Sequence, residues 1–269
     1  MGGGALPWVV LKWGGGLITD KTRRNTADEE AVRRMARCAA ETAAECRLVV
    51  VHGAGSFGHI KAREARLAEG VVSGMEEQQR EAVGVVRRDM LELNRLVMRA
   101  LSDAGVDAEA FPPHTWARGT GPQFVGELPI AKNGAVTVTF GDVVDCPGSR
   151  EFGILSGDDV VVRYATELPD VRVAAFAIGG VDGLLRAPPH KATRDDLLEI
   201  WSPNDGDDGF EHQAEIDVTG GIGYKAMSGA KAAAAGVRVM LVNGEHAERV
   251  VRACAGLDVR GTQVVPGTG

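Results

Sequence analysis

Short glycine clusters and a few lysines are the residues of this sequence best suited to binding and moving a charged group. Glycine lets backbone N–H groups approach an anion closely, and the start of a helix favours negative charge. Several such clusters together predict a site that cradles a polyphosphate. The five clusters are Gly14-Gly15-Gly16, Gly53-Ala54-Gly55-Ser56-Phe57-Gly58-His59, Ser156-Gly157-Asp158, Gly179-Gly180-Val181-Asp182-Gly183 and Asp217-Val218-Thr219-Gly220-Gly221.

Lysine is scarce in this chain, which makes the position of each lysine informative. Arginine supplies most of the 30 basic residues. Lys12, Lys21 and Lys225 nevertheless all lie within or beside the glycine motifs. Cations at these places would neutralise a bound polyphosphate.

Composition excludes several other classes of protein. The 269 residues carry a formal charge of −7, which argues against a general nucleic-acid binder. No apolar run approaches the ~20 residues that span a bilayer, and the N-terminus does not resemble a signal peptide. The four cysteines have no metal-binding spacing. We therefore expect a cytoplasmic protein that contacts neither membrane nor nucleic acid.

The elements that must position these motifs alternate between strands and helices. This alternation predicts an α/β fold with a mainly parallel sheet, in which ligands bind at the carboxyl ends of strands. Strict alternation over Ala135–Phe140 predicts a half-exposed strand, and the acidic segment Ser202–His212 predicts a surface loop. The other predicted strands are 6–12, 48–52, 171–178 and 237–242, and the helices are 26–45, 75–104, 158–166 and 223–235.

Two alternatives follow from the glycine motifs alone. The segment Gly53–Gly58 has the letters of a dinucleotide-binding loop, although no acidic residue follows a second strand at the required distance. An NAD-dependent oxidoreductase is therefore one alternative. A regulatory nucleotide-binding module without catalytic activity, which Gly179-Gly180 suggests, is another. A GxxxxGK[ST] phosphate loop is absent from the sequence.

Seven segments stand in one order along the chain: LKWGGGLITDK (11–21), VHGAGSFGH (51–59), GDVV (141–144), SGDD (156–159), VDG (181–183), DVTGGIGYK (217–225) and RGT (260–262). Together they resemble the isopentenyl phosphate kinases of the amino-acid kinase superfamily, with fosfomycin kinases as near relatives. The resemblance implies an open αβα sandwich in one domain over 1–269. Its acceptor-binding half would cover about 1–155 and its nucleotide-binding half about 156–269.

The resemblance implies phosphoryl transfer from ATP to a small phosphate monoester. The expected reaction converts isopentenyl phosphate to isopentenyl diphosphate, and phosphorylation of a small phosphonate is the alternative. Mg²⁺ is expected on the nucleotide, with no metal site made by protein carboxylates. The resemblance also implies a homodimer.

The resemblance assigns roles to individual residues. Lys12 would contact the transferring phosphoryl group, Lys225 the β- and γ-phosphates, and Lys21 would be a third cation. His59 would hydrogen-bond the acceptor phosphate, and Asp158 would orient the lysines, with capping of its helix as the structural alternative. The remaining predicted contacts are Gly14, Gly15, Gly16, Asp182, Gly183 and Gly221 for ATP, and Ala54, Gly55 and Gly157 for the acceptor.

The sequence departs from the family pattern at three places. Gly16 replaces a serine, and Gly179 and Gly180 replace residues with polar side chains, which affects how the nucleotide is held. Arg87 and Arg88 lie on the helix expected to line the acceptor pocket. If either arginine faces inward, the acceptor would be more polar than an isoprenoid, and if both face solvent they are ordinary surface charges.

Overall fold

The computed structural model describes residues 6–20, 22–205 and 221–267. These residues form ten strands and seven α-helices. The strands are β1 (Trp8–Trp13), β2 (Arg47–His52), β3 (Ala108–Ala110), β4 (Val136–Phe140), β5 (Asp142–Asp145), β6 (Phe152–Leu155), β7 (Val171–Ile178), β8 (Ile200–Trp201), β9 (Arg238–Asn243) and β10 (Thr262–Val264). The helices are α1 (Gly15–Ile18), α2 (Glu29–Ala43), α3 (His59–Glu64), α4 (Glu76–Asp103), α5 (Gly157–Glu167), α6 (Gly221–Ala234) and α7 (Ala247–Cys254).

Eight of these strands form one sheet in the order β3-β4-β2-β1-β7-β9-β10-β8. Every neighbouring pair is parallel except β9 and β10. Strands β5 and β6 form a separate antiparallel hairpin. The predicted α/β class with a mainly parallel sheet is confirmed.

Helices cover both faces of the sheet and create two hydrophobic cores. Helices α2, α4 and α7 pack together on one face, and α5 and α6 pack on the other. Side chains alternate across β1, so Val9, Leu11 and Trp13 enter the first core and Trp8 and Val10 enter the second. The same alternation directs the side chain of Lys12 toward α5.

The prediction that Ala135–Phe140 is half exposed is wrong. All five residues of β4 are buried, because the strand lies between β3 and β2 and is covered on both faces. The two threonines that produce the alternation form hydrogen bonds with backbone groups. The hydroxyl of Thr137 accepts from the N–H of Ala131 at 2.9 Å, and the hydroxyl of Thr139 donates to the carbonyl of Phe111 at 2.9 Å.

Two further expectations concern the acidic surface loop and the absence of a membrane-spanning segment. Residues Pro203–Asp205 form a short 3-10 turn, whereas 206–212 of the predicted acidic loop lie outside the described residues. Among the helices that the structure describes, each is too short or too polar to cross a membrane.

Candidate active site

A cleft of about 700 Å³ opens where β1, β2 and β7 end at their carboxyl termini. The loops after these strands, together with the starts of α5 and α6, form its walls. The position is the one expected for ligands of a parallel sheet. Ten of the predicted site residues line this cleft: Lys12, Gly14, Gly15, Gly16, Ala54, Gly55, His59, Gly157, Gly221 and Lys225.

Asp158 lies between two of the predicted lysines. One of its oxygens forms an ion pair with the buried amine of Lys12. Its other oxygen lies 3.7 Å from the amine of Lys225, which also donates to the carbonyl of Gly221 at 3.2 Å. A single carboxylate thus holds two cations, one from β1 and one from α6, toward the same cleft.

Helix α5 begins in a way that presents this carboxylate. Ser156 is the residue that caps the helix, and its hydroxyl accepts from the N–H of Asp158 at 3.1 Å. The capping alternative for Asp158 is therefore wrong. A carboxylate in the first turn is favoured by the helix dipole. The lysines compensate the charge of this carboxylate, which would be strongly destabilising if it were buried alone.

The two glycine loops after β1 and β2 contact each other through their backbones. A methyl group added at Gly15 would come within 2.4 Å of the backbone nitrogen of Gly55, and one added at Gly53 within 2.5 Å of that of Gly15. The hydroxyl of Thr19 joins the loops, since it donates to the carbonyl of Gly15 at 2.8 Å and accepts from the N–H of Ser56 at 3.0 Å. Glycine is required here for close approach of two loops.

The first loop differs in detail from the expectation for phosphate binding. The N–H of Gly14 donates to the carbonyl of Ala177 at 2.8 Å, so this group is already used within the sheet. Gly15 and Gly16 are the first two residues of α1, where N–H groups have no acceptor within the helix. Gly15 and Gly16 are therefore better placed than Gly14 to donate to a phosphate.

His59 lies beside an apolar wall of the cleft. It is the first residue of α3, is half-buried, and lines the cleft together with Val86 and Met90 of α4. A methyl group added at the neighbouring Gly58 would lie 3.4 Å from the sulfur of Met90 and 3.9 Å from Val86. The apolar side chains of Ile60, Val143 and Ile154 also line the cleft.

The arginines of α4 point away from this wall. The guanidinium of Arg87 donates to the carbonyl of Val143 at 2.8 Å and to the carboxylate of Asp145 at 2.7 Å. Arg88 is exposed. Neither is among the described residues that line the cleft. Neither arginine therefore adds a charge to the wall formed by Val86 and Met90.

Comparison with known proteins agrees with this geometry. The model of the amino acid kinase family matches residues 7–243. The isopentenyl phosphate kinase of Thermoplasma acidophilum is 33% identical over 90% of this chain and 94% of its own length. That of Methanothermobacter thermautotrophicus is 30% identical over 95% of this chain and 98% of its own. The chain belongs to the isopentenyl phosphate kinase family, within the amino acid kinase family.

A solved structure described as that of an isopentenyl phosphate kinase superimposes with a TM-score of 0.79. The two sequences are 27% identical, and the match covers 95% of this chain and 99% of the length of the solved one. The amino-acid kinase fold expected from the sequence is confirmed. The oxidoreductase alternative is not supported, because Gly55–Phe57 forms a 3-10 turn followed by the six-residue α3 and not the long helix of a dinucleotide site.

Two residues predicted to bind ATP in this family member are engaged elsewhere. The carboxylate of Asp182 pairs with Arg260 and Arg249, both at 2.5 Å. Burial opposes its ionisation, but the hydrogen bonds from the two arginines outweigh burial and lower the pKa of Asp182. Gly183 packs against Thr262. Neither Asp182 nor Gly183 is among the described residues that line the cleft, and their contact with nucleotide remains a prediction.

Gly179 and Gly180, two of the three glycines that depart from the family pattern, have local explanations. A methyl group at Gly179 would lie 3.2 Å from the carbonyl oxygen of Gly16, which is tighter than ordinary contact. Gly180 has a φ of +80°, a backbone conformation that residues other than glycine rarely adopt. Its N–H donates to the carboxylate of Glu245 at 3.0 Å. A carboxylate from the loop after β9 therefore reaches this turn.

Two of the predicted motifs are only partly covered by the structure. Lys21 and the segment 217–220 lie outside the described residues, so their roles stay predictions. Within the described ranges, no group of three or more His, Cys, Asp and Glu side chains is arranged to hold a metal ion.

Sequence reasoning missed several residues of the cleft. Asp142 lines it and is held by His114, whose Nδ1 lies 2.6 Å from the carboxylate. Arg63 and His190 also line it. Asp142 was present in the GDVV segment, but 28 residues separate it from His114 and no spacing rule relates the two.

Proposed function

We propose that the protein transfers the γ-phosphoryl group of ATP to isopentenyl phosphate, forming isopentenyl diphosphate and ADP. Membership of the family supports this reaction. The observation that carries the choice of acceptor is the apolar wall of Val86 and Met90 beside His59, with Arg87 turned away. A phosphate held at His59 would direct a short hydrocarbon chain onto that wall, where burial is favourable.

The reaction joins two polyanions, so positioning and neutralisation of charge supply most of the catalysis. An oxygen of the acceptor phosphate forms a bond to the γ-phosphorus while the bond from that phosphorus to the β,γ-bridging oxygen breaks. ADP leaves with that oxygen. The attacking oxygen is already anionic near neutral pH, so no general base is required.

Three cationic or hydrogen-bonding side chains perform this task in our proposal. Lys12 and Lys225 stabilise the transferring phosphoryl group from one side of the cleft, and Asp158 holds both amines in place. His59 donates a hydrogen bond to the acceptor phosphate from the other side. Lys21 would add a further cation.

The nucleotide enters as its Mg²⁺ complex. We propose that Gly15, Gly16 and Gly221 bind its phosphates, with Gly14 lining the site, and that Ala54, Gly55 and Gly157 border the acceptor phosphate. Phosphate oxygens of the nucleotide supply most ligands of Mg²⁺. The acceptor would lie mainly in the half formed by about 1–155 and ATP mainly in the half formed by about 156–269, with Gly15 and Gly16 reaching the nucleotide, and Gly157 the acceptor, from the opposite half.

Assembly and location are also part of the proposal. The family resemblance supports a homodimer acting in the cytoplasm. Light scattering coupled to gel filtration tests the assembly, with twice the mass of the 28.3 kDa chain expected. A single-chain mass at micromolar concentration would contradict it.

A phosphorus NMR assay tests the reaction directly. The purified protein is incubated with ATP, Mg²⁺ and one acceptor at a time, chosen from isopentenyl phosphate, dimethylallyl phosphate and a small phosphonate such as fosfomycin. We expect diphosphate resonances with the prenyl phosphates and ADP formation that depends on the acceptor. Turnover of the phosphonate alone would favour the alternative function, and ATP binding without transfer to any acceptor would favour a non-catalytic module.

A further inference from the structure

A second buried carboxylate lies next to Asp158 but does not line the cleft that contains Lys12 and Lys225. Asp159 is 1% exposed and is the second residue of the acidic pair in the SGDD segment. It is not among the described residues that line the cleft. Burial is the main influence on this group and raises the pKa of Asp159. A carboxyl group kept in such a place needs a polar partner.

Tyr224 provides that partner from the neighbouring helix. Its hydroxyl donates to the two oxygens of Asp159, at 2.9 and 3.0 Å. Tyr224 is in the first turn of α6, and Asp159 is in the first turn of α5. The hydrogen bond therefore joins the beginnings of two helices that pack against each other.

The same two helix starts carry charged groups of the proposed active site. Asp158 precedes Asp159 on α5, and Lys225 follows Tyr224 on α6. The amine of Lys225 lies 3.7 Å from a carboxylate oxygen of Asp158, which is longer than a hydrogen bond. Of these two contacts between the helices, the one made by Tyr224 is the shorter, and it lies directly beside the ion pair.

We propose that Tyr224 is a positioning residue for phosphoryl transfer: its hydrogen bond to Asp159 holds the first turn of α6, and with it Lys225, in register with Asp158. The inference rests on the proposed kinase function, since it concerns the placement of a lysine that contacts phosphate. Tyr224 itself does not touch the reacting atoms. Its hydroxyl acts through the position of Lys225.

The chain offers a closely matched control for this proposal. It contains two tyrosines, and the other, Tyr164, is on α5 and donates its hydroxyl to the carbonyl of Pro129 at 2.7 Å. Replacing either tyrosine by phenylalanine removes one hydrogen bond of a buried or half-buried hydroxyl. Only the change at Tyr224 alters the link between α5 and α6.

The test compares Tyr224→Phe, Tyr164→Phe and Asp159→Asn with the natural protein in transfer from ATP to isopentenyl phosphate. We expect Tyr224→Phe to lower kcat about tenfold while KM for isopentenyl phosphate stays within about twofold. Asp159→Asn retains an oxygen that accepts from Tyr224 and should keep kcat within about threefold. Tyr164→Phe should lower the melting temperature but leave kcat unchanged.

A second measurement does not depend on turnover. The rise in melting temperature caused by saturating AMP-PNP and Mg²⁺ should be smaller in Tyr224→Phe than in the natural protein, and unchanged in Tyr164→Phe. A Tyr224→Phe variant with natural kcat and a full AMP-PNP shift would overturn the proposal. If the natural protein phosphorylates no acceptor, the proposed function fails, and the AMP-PNP shift alone decides the role of Tyr224.

Discussion

The amine of Lys12 and the carboxylate of Asp158 are 146 residues apart in the sequence and form a buried ion pair at the base of the cleft. The pair links the central strand β1 to the start of α5. Because the other oxygen of Asp158 lies 3.7 Å from the amine of Lys225, this one carboxylate is close to both amines. Substitutions in and around this site should therefore have effects that kinetics and stability measurements can separate.

Replacing Asp158 by asparagine should impair both catalysis and stability. The change removes the negative charge opposite the buried Lys12, which costs about 3 kcal/mol of unfolding free energy. Misplaced lysines should lower kcat by about 100-fold. Steady-state kinetics and urea denaturation measure the two effects. Asp145→Asn is the control, because Asp145 is exposed and pairs with Arg87, so its loss should change stability by less than about 0.5 kcal/mol.

Replacing His59 by alanine should remove the hydrogen bond that we propose it donates to the acceptor phosphate. We expect kcat to fall about 100-fold, with His59→Gln losing about tenfold because an amide can still donate. Acceptor-dependent ADP release measures both variants. His246→Ala serves as the control, since His246 is exposed and precedes α7. Activity of His59→Ala within threefold of the natural protein would contradict the assigned role.

Replacing Gly15 by alanine should separate the two glycine loops. The new methyl group would lie 2.4 Å from the backbone nitrogen of Gly55, and backbone cannot yield as a side chain does. We expect a loss of at least about 2 kcal/mol of stability together with loss of activity. Thermal unfolding followed by circular dichroism measures the first effect.

Gly84→Ala is the matched control for Gly15→Ala. Gly84 is inside α4, and the nearest atom to an added methyl group is 3.6 Å away on the flexible side chain of Arg88. Because alanine favours the helix, this variant should gain about 0.5 to 1 kcal/mol. Equal destabilisation by Gly15→Ala and Gly84→Ala would contradict the conclusion that close contact between the two loops requires glycine at position 15.

The sequence was a sufficient guide to the parts of the structure that local patterns encode. The buried run Val171–Ile178 was predicted as a strand with the bounds observed for β7. The apolar spacing of α4 correctly placed Val86 and Met90 on an inward face. Glycine clusters after strands located the cleft, because the carboxyl ends of parallel strands meet at one edge of a sheet.

Features that depend on tertiary contact were not accessible in the same way. The alternation of β4 could not reveal that its two threonines are buried and form hydrogen bonds with backbone carbonyl and N–H groups. The direction of Arg87 depends on Asp145 and on the carbonyl of Val143, which belong to a hairpin that the sequence did not predict. The ion pairs of Asp182 likewise come from Arg249 and Arg260, far along the chain.

His52 should make stability depend on pH. It is fully buried at the end of β2, stacks on Phe140 and lies 3.2 Å from Asn94 through its Nε2. Burial lowers the pKa of His52 from 6.5 to about 4. Between these two pH values His52 binds a proton in the unfolded chain but not in the folded protein. The stability that neutral His52 contributes is therefore fully present above pH 6.5 and is lost as the pH falls toward 4.

The contribution of His52 can be isolated by difference. We expect the natural protein to lose about 2 kcal/mol of unfolding free energy from this residue between about pH 7 and pH 5. In His52→Gln that part of the pH dependence should disappear, whatever the change in stability at neutral pH. Urea denaturation at the two pH values measures it. An identical loss in both proteins would assign the pH dependence to other groups.

The acceptor wall can be tested with two neighbouring residues of α4. Val86→Thr keeps the volume of the side chain but places a hydroxyl on the apolar wall, which costs about 1 kcal/mol and should raise KM for isopentenyl phosphate roughly fivefold. Arg87→Ala should leave KM within about twofold and reduce only stability, because its guanidinium bonds to Val143 and Asp145. Initial rates over a range of isopentenyl phosphate concentrations measure both. A large rise in KM for Arg87→Ala, with none for Val86→Thr, would place a polar acceptor in the cleft and favour the phosphonate alternative.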